Sequence, residues 1–143
     1  MPTLRLSADL SHLCAIREFV SRTSRDLGVS ERVIQDLLLA VDEICSNVIV
    51  HGYDGHGGDI EVTVDRSEAE VRAIVRDWGK AFDPESICVP DIDAPLQQRP
   101  CGGLGLFIVR QLMDEVRFEF EGEKGNSVTM VKQLVHEAEQ QPA

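Results

Sequence analysis

Long apolar runs, positive charge and paired cysteines are all scarce in this sequence. No stretch of the 143 residues reaches the roughly 18 consecutive apolar residues that a bilayer-spanning helix needs. The first residues lack a charged segment followed by an apolar run, so no signal peptide is expected and the cytoplasm is the expected compartment. Lys and Arg number 14 against 25 Asp and Glu, a net charge of −11. That balance argues against direct nucleic-acid binding, which needs clustered cations on phosphates, and against an anionic membrane surface. It suits solubility and a basic protein partner. The cysteines Cys14, Cys45, Cys88 and Cys101 form no CxxC pair, and no histidine stands at zinc-ligand spacing from another. They read as reduced thiols, with Cys45 a core residue among apolar helix positions.

Enough remains for one domain with a proper core: 43% of the residues are hydrophobic. Residues 1–143 read as a single domain whose polar tail, 136–143, is frayed. Leu4 and Leu6 alternate with polar neighbours in a first strand. Ser7 or Asp9 then caps a helix through Ile16, Phe19 and Val20 that Gly28 ends. Ser30 opens a second, strongly apolar helix to about His51, and four glycines in residues 52–58 mark a turn or loop. Ile60, Val62 and Val64, then Val71, Ala73 and Val75, alternate as the two arms of a hairpin. Residues 77–100 hold four prolines and little periodicity, a pattern read as a lid or a mobile loop. A third helix over 104–113 and two further strands, through Val116, Phe118 and Phe120 and through Val128, Met130 and Leu134, complete the chain. The order β-α-α-β-β-loop-α-β-β predicts an α+β two-layer sandwich, a mixed, mostly antiparallel sheet with helices on one face.

Three segments carry chemistry. On the second helix the apolar arc of Ile34, Leu37, Leu38, Val41, Ile44, Cys45 and Val48, widened by Leu39, Ile49 and Val50, leaves Asp36, Ala40, Glu43 and Asn47 on the remaining stripe. Glu43 and Asn47 are i,i+4 neighbours. A carboxylate beside an amide oxygen suits magnesium, a polarised water, or a general base facing a hydroxyl; the plain alternative is the wet stripe of a core helix. Asp77 follows a strand and precedes Gly79, where a carboxylate oxygen can accept from an exocyclic amine such as that of adenine, or simply make an Asp-x-Gly turn. Trp78 and Phe82 read as local packing. Gly102-Gly103-Leu104-Gly105 opens the third helix and is either a backbone cradle for phosphates or a hinge. Arg99 and Lys80 are nearby cations that meet phosphate charge or lie on plain surface.

Taken in order, these runs resemble the GHKL ATPase superfamily, and more narrowly the RsbW-like anti-sigma factor serine kinases. Residues 40–53, AVDEICSNVIVHGY, are similar to that family's N-box; 76–84, RDWGKAFDP, to its first glycine box; 102–116, GGLGLFIVRQLMDEV, to its second. The resemblance covers nearly the whole chain, from Leu4 to about Leu134. It implies a Bergerat-type fold, ATP and Mg²⁺ as cofactors, Glu43 as general base and Asn47 as magnesium ligand. Asp77 is implied to bind the adenine amino group, with Gly79 giving room and Ala81 and Phe82 following it in the box. Gly102, Gly103, Leu104, Gly105 and Leu106, with Arg99, are implied to serve the phosphates. Thr129, or Ser127, is implied to place a hydroxyl near the base. Ala81 stands where a second glycine is common, and Asn126 where Gly-Thr is frequent. The implied partners are a STAS-type anti-anti-sigma protein carrying the phosphoacceptor serine, a sigma factor, and a second copy of the chain. The alternative function is a nucleotide-gated sequestering module with little or no kinase turnover.

Overall fold

The computed structural model describes residues 1–53, 57–80 and 104–134. The expected frayed tail, most of the expected lid, and Ala81, Phe82, Arg99, Gly102 and Gly103 lie outside the described residues.

Strand β1 (Thr3–Ser7) is followed by a single 3-10 turn, Leu10–His12, whose first N–H groups are met by Asp9: its Oδ1 accepts from the Ser11 N–H at 2.9 Å. Helix α1 (Leu13–Asp26) therefore starts one turn later than expected. It buries Ile16 and Val20, an i,i+4 pair, and ends where Gly28 turns left-handed at φ 79°. There the Val29 N–H reaches back to the Ser24 carbonyl at 3.0 Å, closing the helix end. Helix α2 (Glu31–Asn47) is capped by the Ser30 hydroxyl, which accepts from the Val33 N–H, and carries Glu31 in its first turn. The chain does not stop at Asn47. It continues as a π-helical turn, Val48–Gly52.

Strands β2 (Asp59–Arg66) and β3 (Glu70–Asp77) form the expected hairpin. Helix α3 (Leu104–Leu112) leads into β4 (Glu115–Phe120) and β5 (Asn126–Gln133), again a hairpin. The five strands lie in the order β1-β2-β3-β5-β4. Every pairing is antiparallel, so the mixed element of the expected sheet is absent among the described residues. Period-two alternation sends Ile60, Val62 and Val64 of β2, Val71, Ala73 and Val75 of β3, and Val128 and Met130 of β5 to one face. There they pack with Ile16, Val20, Ile34, Leu37, Val41, Ile44 and Val109 of the three helices in one core cluster. The other face carries Arg5, Glu61, Arg72, Arg76, Thr129 and Arg117 in register across the strands. The α+β two-layer expectation holds. Among the described residues no helix is long and apolar enough to cross a membrane.

Candidate functional site

The site begins at the last residue of β3. Asp77 closes the alternation on the core side and is 5% exposed. A bare carboxylate there is costly, and burial pushes its pKa above the ordinary 3.8. Two donors oppose that push, both on Oδ1: the Asn126 side-chain amide at 3.0 Å and the Gly79 N–H at 3.0 Å. Asn126 opens β5 and sits directly opposite Asp77 in the ladder. Its Nδ2 also donates to the Gly79 carbonyl at 3.1 Å. Asp77, Gly79 and Asn126 thus form one closed knot, and no donor among the described residues reaches Asp77 Oδ2.

The π turn braces this knot from the side. The Lys80 N–H donates to the Gly52 carbonyl at 2.6 Å. The Trp78 N–H donates to the Tyr53 hydroxyl at 2.9 Å, and that hydroxyl donates onward to the Asp59 carbonyl. Gly79 lies so close to this turn that a Cβ on it would stand 2.6 Å from the Gly52 oxygen and 2.8 Å from its carbon. The residue was expected to make room for a ligand; the first thing it admits is the protein's own backbone. The turn also brings the end of α2 alongside: Cys45, fully buried, feels the Asp77 charge, and burial drives its thiol pKa upward. A π turn here follows a recurring association of such turns with functional sites.

Glu43 and Asn47 are half-buried on the same face of α2, Asn47 as its last residue before the π turn. Among the described residues neither side chain has a hydrogen-bond or ion-pair partner, so both oxygens remain available. The rest of the stripe differs from expectation. Ala40 is fully buried, and Asp36 pairs with Lys132 Nζ at 3.3 Å. Leu39 and Val50, expected in the buried arc, are 54% and 46% exposed and flank Glu43 on the helix surface. Periodicity assigned them to the apolar side because they are apolar; the position of α2 on the sheet leaves them outside. Asp42, next to Glu43, is held by Arg17 of α1 through two contacts of 2.9 Å.

Leu104 and Gly105 open α3, and Leu106 is buried beneath it. Thr129 is not brought to the site. It lies between Ile74 and Arg117 on the face turned away from the helices, one residue out of phase with Val128 and Met130; Ser127 shares that face. The β5 residue that meets Asp77 is Asn126. Alternation counted back from Met130 and Val128 points to it, and choosing by hydroxyl rather than by parity missed it. Tyr53, too, had no assigned role, because its hydroxyl meets backbone groups, the Asp59 carbonyl and the Trp78 N–H, which no residue type signals. Trp78 packs locally as expected, on the far side of the turn: the guanidinium carbons of Arg5 and Arg76 lie 4.6 and 5.7 Å from its ring centroid.

The family profile of the histidine kinase-like ATPase domain matches residues 6–132. The chain belongs to the histidine kinase-like ATPase family. A serine-protein kinase RsbW of Halalkalibacterium halodurans is 37% identical over 123 residues, covering 83% of this chain and 74% of that protein. The RsbW serine-protein kinase of Bacillus cereus is 26% identical over 138 residues, 94% of this chain and 85% of that one. Two solved structures share the fold of this histidine kinase-like ATPase domain. The RsbU and RsbW domains of Rv1364c from Mycobacterium tuberculosis superpose with a TM-score of 0.61 at 20% identity over 92% of this chain, which spans 32% of that longer one. The mycobacterial sensor histidine kinase MprB gives a TM-score of 0.51 at 16% identity, covering 91% of this chain and 97% of that one.

Proposed function

We propose that this histidine kinase-like ATPase domain is an ATP-dependent protein-serine kinase that also acts as an anti-sigma factor. The observation that carries the reading is the Asp77–Gly79–Asn126 knot, with one carboxylate oxygen left open, braced against the end of the helix that bears Glu43 and Asn47. The open Oδ2 accepts from the 6-amino group of adenine. The start of α3, packed beside α2, takes the phosphates on its free N–H groups. Asn47 supplies an amide oxygen for Mg²⁺, with Glu43 one turn away. Bound there, the ion neutralises phosphate charge.

Glu43 takes the proton of a serine hydroxyl on a small anti-anti-sigma protein of the STAS type. The serine oxygen forms a bond to the γ-phosphorus as the bond to the β–γ bridging oxygen breaks, and ADP leaves with that electron pair. There is little covalent work for the protein, so rate comes from positioning and charge stabilisation. Phosphorylation of the partner then decides whether the domain holds the sigma factor or releases it. The exposed Leu39 and Val50 beside Glu43 give a protein substrate apolar purchase at the point of transfer.

The test is incubation of wild type and Glu43→Gln with labelled ATP and the anti-anti-sigma protein encoded beside it. Transfer to a serine by wild type, lost at least 100-fold in the variant while ATP binding persists, is the expected result. Binding of ATP without transfer by wild type would sink the kinase reading and leave a nucleotide-gated sequestering module.

A further inference from the structure

Asn126 opens β5 opposite Asp77, and its hydrogen bonds define what it does. Its Nδ2 meets Asp77 Oδ1 at 3.0 Å and the Gly79 carbonyl at 3.1 Å. Both partners are acceptors, so the amide nitrogen and not its oxygen must face them, and both amide hydrogens are used. A hydroxyl has one hydrogen and can make only one of these bonds. The Asn126 and Asp77 side chains are both buried, so the bond between them is made where a lost partner is not replaced by bulk water; the bond to the Gly79 carbonyl is part-buried.

We propose that Asn126 is the positioning residue of the base subsite: by bridging Asp77 Oδ1 and the Gly79 carbonyl it holds the carboxyl group turned with Oδ2 outward before any nucleotide arrives. The proposal rests on the nucleotide reading given above. Its physical content is a contest at Asp77. Desolvation favours the protonated carboxyl, and the two donors on Oδ1 favour the carboxylate. Among the described residues the titratable groups that face Asp77 are Cys45 from α2 and Tyr53 from the π turn, and burial raises the pKa of both, so each is neutral near pH 7. No described cation pairs with the carboxylate. Among the described residues Asn126 therefore supplies one of the two hydrogen bonds that favour the carboxylate. Removing it leaves the Gly79 N–H alone and frees the Gly79 carbonyl from its tether. The carboxyl then protonates at higher pH, and a protonated oxygen no longer serves as the open acceptor for an exocyclic amine.

The experiment measures ADP affinity from pH 4.5 to 8.5 for wild type, Asn126→Ala and Asn126→Thr. The emission of Trp78, the only tryptophan, gives the readout, because it adjoins Asp77 in the same turn. In parallel, the Asp77 side-chain carboxyl is titrated by ¹³C NMR in the nucleotide-free proteins. Asn126→Ala is expected to weaken ADP at neutral pH by about tenfold or more and to move the acid limb of the binding curve to higher pH, in step with a raised Asp77 midpoint. Asn126→Thr, with one donor, is expected to return the acid limb part-way toward wild type. A loss of affinity that is uniform across pH, with the acid limb and the Asp77 midpoint unmoved, overturns the proposal and leaves Asn126 a packing residue. If Asn126→Ala does not fold, the Thr variant carries the comparison: an acid limb and Asp77 midpoint unshifted from wild type overturn the proposal. If wild type binds no ADP at any pH, the nucleotide reading fails, while the Asp77 titration in the free proteins still decides whether Asn126 sets the carboxylate.

Discussion

The close approach of Gly79 to Gly52 sets up a pair of glycine substitutions with opposite outcomes. At Gly79 an alanine Cβ would stand 2.6 Å from the Gly52 oxygen, 2.8 Å from its carbon and 3.1 Å from the Tyr53 ring. The first two are backbone atoms and cannot rotate away. Relief requires the two turns to separate by several tenths of an ångström, and that separation acts directly on the bond from the Lys80 N–H to the Gly52 carbonyl. Overpacking costs about 1–3 kcal/mol and the strained hydrogen bond about 1 kcal/mol, so Gly79→Ala should cost ~2–4 kcal/mol. With an unfolding entropy of about 0.3 kcal/mol/K for a chain of this length, Tm falls by roughly 7–13 °C. Gly52, on the other side of the same contact, is different. A Cβ there meets its nearest neighbours, the Lys80 carbonyl, Val48 and Asp77, at 3.8–3.9 Å, ordinary van der Waals distances. Gly52→Ala should leave Tm within about 2 °C of wild type, with a small gain from the stiffer unfolded chain. Differential scanning calorimetry of both variants, without nucleotide, measures the pair. Equal effects, or a Gly79→Ala Tm within 2 °C of wild type, would refute the claim that the Asp-x-Gly glycine is dictated by backbone contact.

Asp77 gives a pH test with a definite sign. Its folded pKa is raised by burial, so its contribution to stability is fully present below the ordinary value of 3.8 and is lost as pH rises through the folded value. The stability of wild type relative to Asp77→Asn, followed by urea titration, should therefore grow as pH falls through that window, while ADP affinity falls over the same range; a flat or inverted stability difference counts against the buried carboxylate. Cys45 is fully buried with its thiol pKa driven upward, whereas Cys14 is exposed. In a Cys88→Ser/Cys101→Ser background, a thiol reagent should find one reactive group in the native protein and two in denaturant; two in the native state would contradict the packing of α2. Lys132→Met removes both the 2.6 Å bond from Lys132 Nζ to the Leu112 carbonyl at the end of α3 and the pairing with Asp36, at a cost of about 1–3 kcal/mol by urea midpoint; a change below 0.5 kcal/mol would show that α3 needs no such anchor. Arg17→Ala breaks a two-contact pair with Asp42 in which the arginine is half-exposed, so the urea midpoint should barely move; a clear loss would contradict solvent screening of this pair.

The strands were legible because each alternates cleanly and one face of the sheet is buried, so parity alone assigned Ile60, Val62, Val71, Ala73, Val75 and Met130 to the core. Helix α2 was legible in its helical extent, to about His51, although its α-helical part ends at Asn47. Beyond it the π turn left no mark, since one extra residue per turn changes register without changing composition. Leu39 and Val50 show the limit of periodicity: it reports which side of a helix is apolar, while exposure depends on how far the sheet beneath extends. Asp77 was legible as the last residue of a strand. Its partner was missed because a hydroxyl at Thr129 looked chemically apt, although strand parity places Thr129 with Ile74 on the opposite face and Asn126 with Asp77. The reason for Gly79 lies 27 residues back, at Gly52, and no local pattern could have disclosed it.

The bond between Asp77 and Asn126 joins residues 49 positions apart in the chain, and this has a kinetic consequence. The β2–β3 and β4–β5 hairpins pair residues close in sequence and can form early. The β3–β5 ladder must first bring together two strands far apart in the chain, and that entropy is spent before its contacts repay it. The Asp77–Asn126 pair sits on that last seam, so a half-folded chain has the Asp-x-Gly turn but not the amide that completes it. Nucleotide that binds only after the seam closes leaves the folding rate untouched and slows unfolding alone.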